Sequence, residues 1–132
     1  MSKYAGIGSR KTPKEILGLF DYLGRYFAKR RFLLRSGAAD GADTAFEDGC
    51  DIYSGPKEIY LPWKGFNGNG SELILPDPIP ETVEKISIHY HPNWFALKPE
   101  AKKLIARDAY QILGQNLNDP VDFIICYTAG GR

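Results

Sequence analysis

The sequence predicts an α/β domain built on a mostly parallel sheet of about four strands. Short apolar segments alternate with segments of helical periodicity along the chain, and glycine-rich turns follow the first two apolar segments. The length of 132 residues is that of one domain. We therefore expect a single three-layer domain over residues 1–132, with helices on both faces of the sheet.

The first strand and helix are predicted near the N-terminus. Lys3–Gly8 is a short apolar segment that ends in glycine, as a strand would. In the following "TPKE", Thr12 and Glu15 form a capping box around a proline suited to the first helical turn. Gly18 and Gly24 weaken this helix but permit close packing. Its buried face is predicted from helical spacing to contain Ile16, Leu17, Phe20, Leu23 and Phe27.

The middle of the chain predicts a strand over 32–37, a helix over 43–53 and a strand over 57–62. Residues 63–80 are rich in proline and glycine, which indicates a long loop or lid. Residues 80–92 are ambiguous, and we expect a helical turn followed by an extended piece.

A clear helix is expected over 98–114, and 121–128 is predicted to be a central parallel strand covered on both faces, with Cys126 in the core. A rotation of about 100° per residue places Asp108 on the apolar side of the helix and Arg107 on the polar side. A buried carboxylate needs partners, so Asp108 either hydrogen-bonds within the protein or touches a ligand. Arg107 either binds phosphate or is an exposed arginine of little consequence.

Composition limits the function classes. The 17 basic and 16 acidic residues nearly cancel, which argues against strong, sequence-blind binding of nucleic acid. The basic run Lys29–Arg31 is interpreted as a solvated helix end. No signal peptide and no apolar run of about 20 residues is evident, so we expect a cytoplasmic protein that does not bind membranes. Cys50 and Cys126 make neither a disulfide framework nor a metal set.

Ligands of parallel sheets bind beyond the carboxyl ends of the strands, here Gly8–Arg10, Ser36–Asp43 and Thr128–Arg132. Small residues expose the backbone, and the amides of a helix start attract an anion that Arg10 can also bind. Alternatively, the glycines make only a tight turn with a helix cap. The expected ligand-binding residues are Gly8, Ser9, Arg10, Ser36, Gly37, Ala38, Ala39, Gly41, Ala42, Asp43, Thr44, Arg107 and Thr128.

Acidic residues accompany this turn. Asp40 and Asp43 do not favour a bare phosphate, and they indicate sugar hydroxyls, a base edge or a cation carried with the ligand. Glu47 follows Asp43 by one helical turn on the same face. If the protein is an enzyme, Asp43 and Glu47 are the catalytic candidates, because paired carboxylates can stabilise the charge of N-glycosidic cleavage. Otherwise Glu47 is a surface residue and Asp43 a cap.

The motifs "GIGSR" and "SGAADGAD" resemble those of the DNA-processing protein A (DprA/Smf) group. They also resemble the wider SLOG superfamily, which joins it to the "lonely guy" (LOG) phosphoribohydrolases. Small phage and bacterial members share "LPW-x-G-F-N" and "RDAYQILG" as well. The resemblance implies a Rossmann-like fold and nucleotide-related ligands. The matching positions of the first two motifs are Gly8, Ser9, Arg10, Ser36, Gly37, Ala39, Gly41 and Asp43.

The sequence also departs from that pattern. DNA-binding members carry arginine at position 40 and histidine at position 47, whereas Asp40 and Glu47 repel phosphate by on the order of 1 kcal/mol each at close range. The superfamily continues past the last predicted strand to a second glycine-rich loop, a helix and a fifth strand, while this sequence ends at "AGGR". Either the sequence is cut, another chain completes the sheet, or half the site suffices. An open sheet edge favours a homo-oligomer.

Other side chains give weaker predictions. His89 and His91 alternate on a possible strand and could hold zinc, but no third ligand of suitable spacing is evident, so no metal is expected. Trp63, Phe66 and Trp94 either stack on a base or cover the sheet. The dinucleotide motif Gly-x-Gly-x-x-Gly is absent, and no cofactor is expected.

Three functional hypotheses follow. The first is a module that binds a nucleotide or nucleotide-derived small molecule, for sensing, sequestration or processing. The second is an N-glycosidic hydrolase that acts on nucleotides. The third, less expected, is binding of single-stranded DNA.

Overall fold

The computed structural model describes residues 1–128. Strands and helices alternate over residues 3–61, as the periodicity predicts, whereas two helices follow one another before the last strand. The elements are β1 Lys3–Gly8, α1 Lys14–Lys29, β2 Leu33–Ser36, α2 Ala42–Ile52, β3 Lys57–Leu61, β4 Leu73–Ile74, α3 Glu81–Tyr90, α4 Pro99–Leu113 and β5 Phe123–Tyr127, with short 3₁₀ turns at Phe66–Gly68 and Trp94–Ala96.

The sheet has five strands in the order β4-β3-β2-β1-β5, and all of its pairs are parallel. Helices α1 and α2 cover one face, while α4, with α3 packed against it, covers the other face over β2 and β3. This is a Rossmann-like three-layer α/β fold, as the sequence predicts. The four longer strands are the expected ones. The two-residue β4 lies inside the segment expected to be a loop.

The α1–α2 face of the sheet contains an aromatic core. The ring of Tyr4 is 4.7 Å from that of Phe27 and stacks on Phe123 at 5.5 Å between centroids. Phe46 of α2 stacks on Phe20 of α1 at 4.4 Å. Burial of these large rings accounts for the strong apolar periodicity of the first helix.

A second core lies beneath α3 and α4. Tyr60 stacks on Tyr110 at 5.8 Å, and Trp94 is completely buried in the same cluster. The prediction that Trp94 stacks on a ligand base is therefore wrong, since its rings are part of the protein interior.

Helix α3 corrects the expectation of an extended piece after residue 80. Val83 and Ser87 are both buried one turn apart, and the Ser87 hydroxyl donates to the Val83 carbonyl at 2.8 Å. His89 is helical and His91 follows the helix, so the two do not share a strand face. Among residues 1–128, no group of three His, Cys, Asp or Glu side chains is placed to hold a metal ion. No helix in that range is long and apolar enough to cross a membrane.

Strand β5 is an edge strand, not a central one. Phe123, Ile125 and Tyr127 pack towards the aromatic core, whereas Ile124 is 48% exposed and Cys126 is exposed. The prediction that Cys126 is a core residue is wrong. The reason is that α4 lies over β2 and β3, which leaves this face of β5 uncovered by the described residues.

A buried arginine joins the sheet to the loop that precedes β5. Arg35 of β2 is almost fully buried, and its guanidinium donates to the Glu58 carboxylate at 3.0 Å and the Asp119 carboxylate at 2.9 Å. It also donates to the Asp119 carbonyl. Periodicity gives no sign of this network, since it predicts apolar residues in a buried strand.

Close packing of α1 on α2 requires glycine at position 24. A Cβ there would lie 2.5 Å from the Phe46 carbonyl oxygen and 3.1 Å from the Cys50 nitrogen, both backbone atoms. At Gly18, on the outer side of the same helix, a Cβ would have no such neighbour within 4 Å. Packing therefore excludes a side chain at Gly24, whereas Gly18 has room for one.

We predict that Gly24→Ala destabilises the protein by about 1–3 kcal/mol, because the helices must separate. Gly18→Ala should instead stabilise it by roughly 0.5–1 kcal/mol through helix propensity. Urea denaturation of both variants measures these changes. Equal effects of the two substitutions would contradict the packing described for α1 and α2.

Candidate functional site

A cleft of about 660 Å³ lies between α4 and the carboxyl ends of β1 and β5. It brings together seven of the residues expected to bind a ligand, from four separate parts of the chain. These seven are Gly8, Ser9, Arg10, Ala39, Asp43, Arg107 and Thr128. The remaining lining residues are Ile7, Phe66, Leu104, Ile105, Asp108, Gln111, Ile112 and Cys126. The expected stretch 129–132 lies outside the described residues.

The turn after β1 is held by hydrogen bonds of the Ser9 and Thr12 hydroxyls. The Lys11 amide donates to the Ser9 hydroxyl at 2.9 Å, and the Thr12 hydroxyl donates to the Ser9 carbonyl at 2.6 Å. Thr12 therefore shapes this turn, and the expected capping box is not formed, since the N-cap of α1 is Pro13 without a side-chain cap. Arg10 is exposed at the mouth of the cleft.

The Asp43 side chain binds two backbone amides beside the helix start that was expected to attract a ligand anion. Its carboxylate accepts from the Gly8 amide at 3.2 Å and from the Ala39 amide at 3.4 Å, and the residue is only 4% exposed. Burial raises the pKa of Asp43 to about 7, although the nearby Arg107 guanidinium and the two amides act in the opposite direction. The chain thus supplies its own acid between the ends of β1 and β2.

Most other residues of the turn build it without lining the cleft. The Ser36 hydroxyl donates to the Gly6 carbonyl, and the Thr44 hydroxyl donates to the Ala39 carbonyl at 2.8 Å, so neither points to a ligand. Gly41 has φ of +86°, and a Cβ there would lie 2.7 Å from the Ser9 carbonyl oxygen. The expected ligand residues that the structure does not place in the cleft lining are Ser36, Gly37, Ala38, Gly41, Ala42 and Thr44.

Arg107 and Asp108 are placed opposite to the helical-wheel prediction. Arg107 is 4% exposed, and it donates to the carbonyls of Gly37 and Tyr60, at the ends of β2 and β3. The Asp108 side chain is 56% exposed in the cleft and accepts from the Arg107 Nε atom at 3.0 Å. A long guanidinium can satisfy strand-end carbonyls inside the fold, which a wheel of residue polarity does not represent.

Glu47 does not face the cleft. Its carboxylate pairs with Lys57 at 2.8 Å and accepts from the Asn69 amide at 3.0 Å. The structure therefore does not bring Asp43 and Glu47 together beneath one ligand position. A shared helical face is necessary for Asp43 and Glu47 to act as a pair, but it is not sufficient. Lys57 and Asn69 bind the Glu47 carboxylate outside the cleft.

The segment after β3 is fastened to the glycine-rich turn. Asn67 donates to the Ala38 carbonyl at 3.0 Å, which places Phe66 in the cleft wall, 5.5 Å from the Arg107 guanidinium carbon. Trp63 packs edge-on against Phe66 at 5.3 Å. Of the three aromatics expected to stack on a base, Phe66 alone lines the cleft.

Sequence reasoning missed one wall of the cleft. This wall contains Ile105 and Ile112 of α4 and Cys126 of β5. Gln111 also lines the cleft and donates to the Asp108 carboxylate at 3.3 Å. Helical spacing places Ile105 and Ile112 on the apolar side of this helix, the side on which Asp108 was expected to be buried. Nothing in the pattern shows that β5 stays uncovered.

No protein-family model matches the chain, and no match was found among curated proteins or solved structures. Membership of the DprA and LOG superfamily, which the glycine-rich motifs suggested, therefore remains a prediction.

We predict that Asp43→Asn gains stability relative to the natural protein as the pH rises from about 4 to about 7. The folded pKa of about 7 exceeds the ordinary value of 3.8, so the folded state retains a proton that the unfolded state releases. Stability is therefore lost as the pH rises through this window, by up to about 1.4 kcal/mol per unit of pKa difference.

Asparagine cannot ionise, so the Asp43→Asn variant does not lose stability in this way as the pH rises. Thermal and urea denaturation at several pH values measure the difference. Asp40→Asn, which removes an exposed carboxylate of the same turn, controls for the loss of one negative charge. A stability difference between Asp43→Asn and the natural protein that stays constant with pH would disprove the raised pKa.

Proposed function

We propose that the cleft binds a nucleotide or a nucleotide-derived small molecule. The observation that carries the proposal is a single cleft of about 660 Å³ that joins a polar, cationic end at Arg10 to an apolar wall at Ile105 and Cys126. Its volume lies within the range of roughly 300–1,000 Å³ typical of small-molecule sites. A bare phosphate would need much less.

The polar end suits a phosphate group. Arg10 at the mouth can bind phosphate oxygens in forked geometry. The Asp43 acid, when protonated, can donate a hydrogen bond to the same group, and when ionised it opposes an anion. Phosphate binding in this proposal depends on side chains of the strand ends rather than on vacant backbone amides, since Asp43 already uses those of Gly8 and Ala39.

The rest of the cleft suits a nucleoside. Ile105, Ile112 and Cys126 offer an apolar surface against which a planar base can pack, and Phe66 adds an aromatic wall. The exposed Asp108 carboxylate is part of the same lining and can accept from sugar hydroxyls or an exocyclic amine.

The two other hypotheses have less support. Hydrolysis by the Asp43–Glu47 pair loses its geometric basis, because Glu47 is bound to Lys57 and Asn69. For single-stranded DNA, Asp108 in the lining and Asp40 in the exposed turn are unfavourable to a phosphate backbone. Binding and sensing of a small ligand needs neither a second carboxylate nor a basic surface.

We predict that Arg10→Ala weakens binding of a nucleotide by about 10- to 100-fold, since it removes a charge-assisted hydrogen bond. Lys11→Ala is the matched control: Lys11 is the adjacent exposed cation but does not line the cleft, and its loss should change affinity less than about twofold. Calorimetry with AMP, ATP, ADP-ribose, a cyclic dinucleotide and a short oligonucleotide supplies the measurements.

Binding by the oligonucleotide alone, or equal losses from the two substitutions, would contradict the proposed small-molecule site. Failure of every nucleotide in the panel to bind at millimolar concentration would also contradict it.

We further predict that a bound nucleotide slows alkylation of Cys126. Its thiol is exposed in the cleft, whereas Cys50 is completely buried and its pKa is raised to about 11, so Cys50 is a silent internal control. Mass spectrometry after brief iodoacetamide treatment locates the modification. Unchanged Cys126 labelling at a saturating nucleotide concentration would place the ligand outside this cleft.

A further inference from the structure

The Asp108 side chain is exposed to the cleft, yet it is held in place by buried donors. Its Oδ1 atom accepts from Arg107 Nε at 3.0 Å and from Gln111 Nε2 at 3.3 Å. Arg107 and Gln111 are only 4% and 2% exposed, so the protein interior fixes both donors. Asp108 is therefore an oriented acceptor rather than a free surface carboxylate.

The second carboxylate oxygen of Asp108 is left for a ligand. Among residues 1–128, both hydrogen bonds to this side chain end on Oδ1, and none reaches Oδ2. The side chain is 56% exposed and lines the cleft. Because a carboxylate oxygen has two lone pairs, Oδ2 can accept two hydrogen bonds from a bound molecule.

Asp108 lies among the apolar residues against which the proposed function packs a base. Ile105 precedes it by three residues along α4 and Ile112 follows it by four, and all three line the cleft. Residues at these spacings are neighbours on a helix surface, with about 5–6 Å between their Cβ atoms. A base that packs against the two isoleucines therefore has the Asp108 carboxylate within reach of its edge.

An ionised carboxylate accepts hydrogen bonds and donates none, and this property separates the bases by their edges. Guanine carries two adjacent donors, N1–H and the exocyclic N2 amine. Adenine and cytosine place a ring acceptor beside the exocyclic amine, and uracil places a carbonyl on each side of its N–H donor. Each of those acceptors would face a negative charge, whereas both guanine donors would be satisfied.

We infer that the cleft selects guanine and that Asp108 determines this specificity. Oδ2 of Asp108 accepts from N1–H and from the N2 amine, while the ring packs against Ile105 and Ile112. The inference rests on the proposed function, since it places a base against the apolar wall, and it names the base that the wall receives.

We predict that guanosine monophosphate binds about tenfold or more tightly than adenosine, cytidine or uridine monophosphate, because a carboxylate left facing an acceptor is not satisfied. The other three nucleotides still bind, since Arg10 and the apolar wall contact them in the same way. Inosine monophosphate keeps N1–H but lacks the N2 amine, and its affinity should lie between. Calorimetry at one pH and one salt concentration measures the five affinities.

Asp108→Asn tests the role of the side chain. Asparagine keeps an oxygen for Arg107 and Gln111 but can replace Oδ2 with an N–H donor. We expect guanosine monophosphate to bind about tenfold more weakly to this variant, since a charged acceptor is lost. Xanthosine monophosphate, in which a carbonyl replaces the N2 amine, should bind more tightly than to the natural protein. A merely structural loss would weaken both nucleotides.

The matched control is Glu100→Gln, which removes an exposed carboxylate from the start of the same helix, outside the cleft. It should leave the preference for guanine unchanged, and circular dichroism checks that both variants remain folded.

Equal affinity for the five nucleotides, or tighter binding of adenosine monophosphate, would overturn the guanine inference and leave the proposed function standing. An equal loss of affinity for every nucleotide in Asp108→Asn would assign this carboxylate to the sugar and would also overturn the inference. Absence of binding by all of the nucleotides would overturn the inference together with the proposed function.

Discussion

The contact between the Asp43 carboxylate and the amides of Gly8 and Ala39 is the interaction on which the site depends. It joins the end of β1 to the turn that follows β2, and it does so with an acid that is 4% exposed. A buried carboxylate is costly when ionised, and burial accordingly raises the pKa of Asp43 to about 7. The Asp43 carboxyl group between the two strand ends therefore changes its charge near neutral pH.

Arg107 fixes the position of α4, which forms the other side of the cleft. By donating to carbonyls at the ends of β2 and β3, it ties α4 to the same edge of the sheet and carries a positive charge towards Asp43. Because α4 is fixed over β2 and β3, the space above Ile7 and Cys126 stays open and becomes the apolar part of the cleft. The hydrogen bonds of Arg107 thus help to leave the apolar wall of the cleft exposed.

The fold class could be predicted from the sequence, because the pattern of strands and helices depends on local periodicity. The rule that parallel strands end at one edge also predicted six residues of the cleft lining, and Arg107 of α4 was proposed separately. The failures involve long side chains and distant partners. Lys57 and Asn69 bind Glu47, strand-end carbonyls draw Arg107 inside, and the position of α4 leaves Cys126 exposed; none of these contacts is encoded in spacing along the chain.

The most direct test of this account is an NMR titration of the side-chain carboxyl carbons in the isotope-labelled protein. The account predicts that the Asp43 carbon titrates with a midpoint near 7 and that the Gly8 amide shifts with the same midpoint, since the two groups share a hydrogen bond. A midpoint near the ordinary aspartate value of about 4, with no linked change at Gly8, would contradict it.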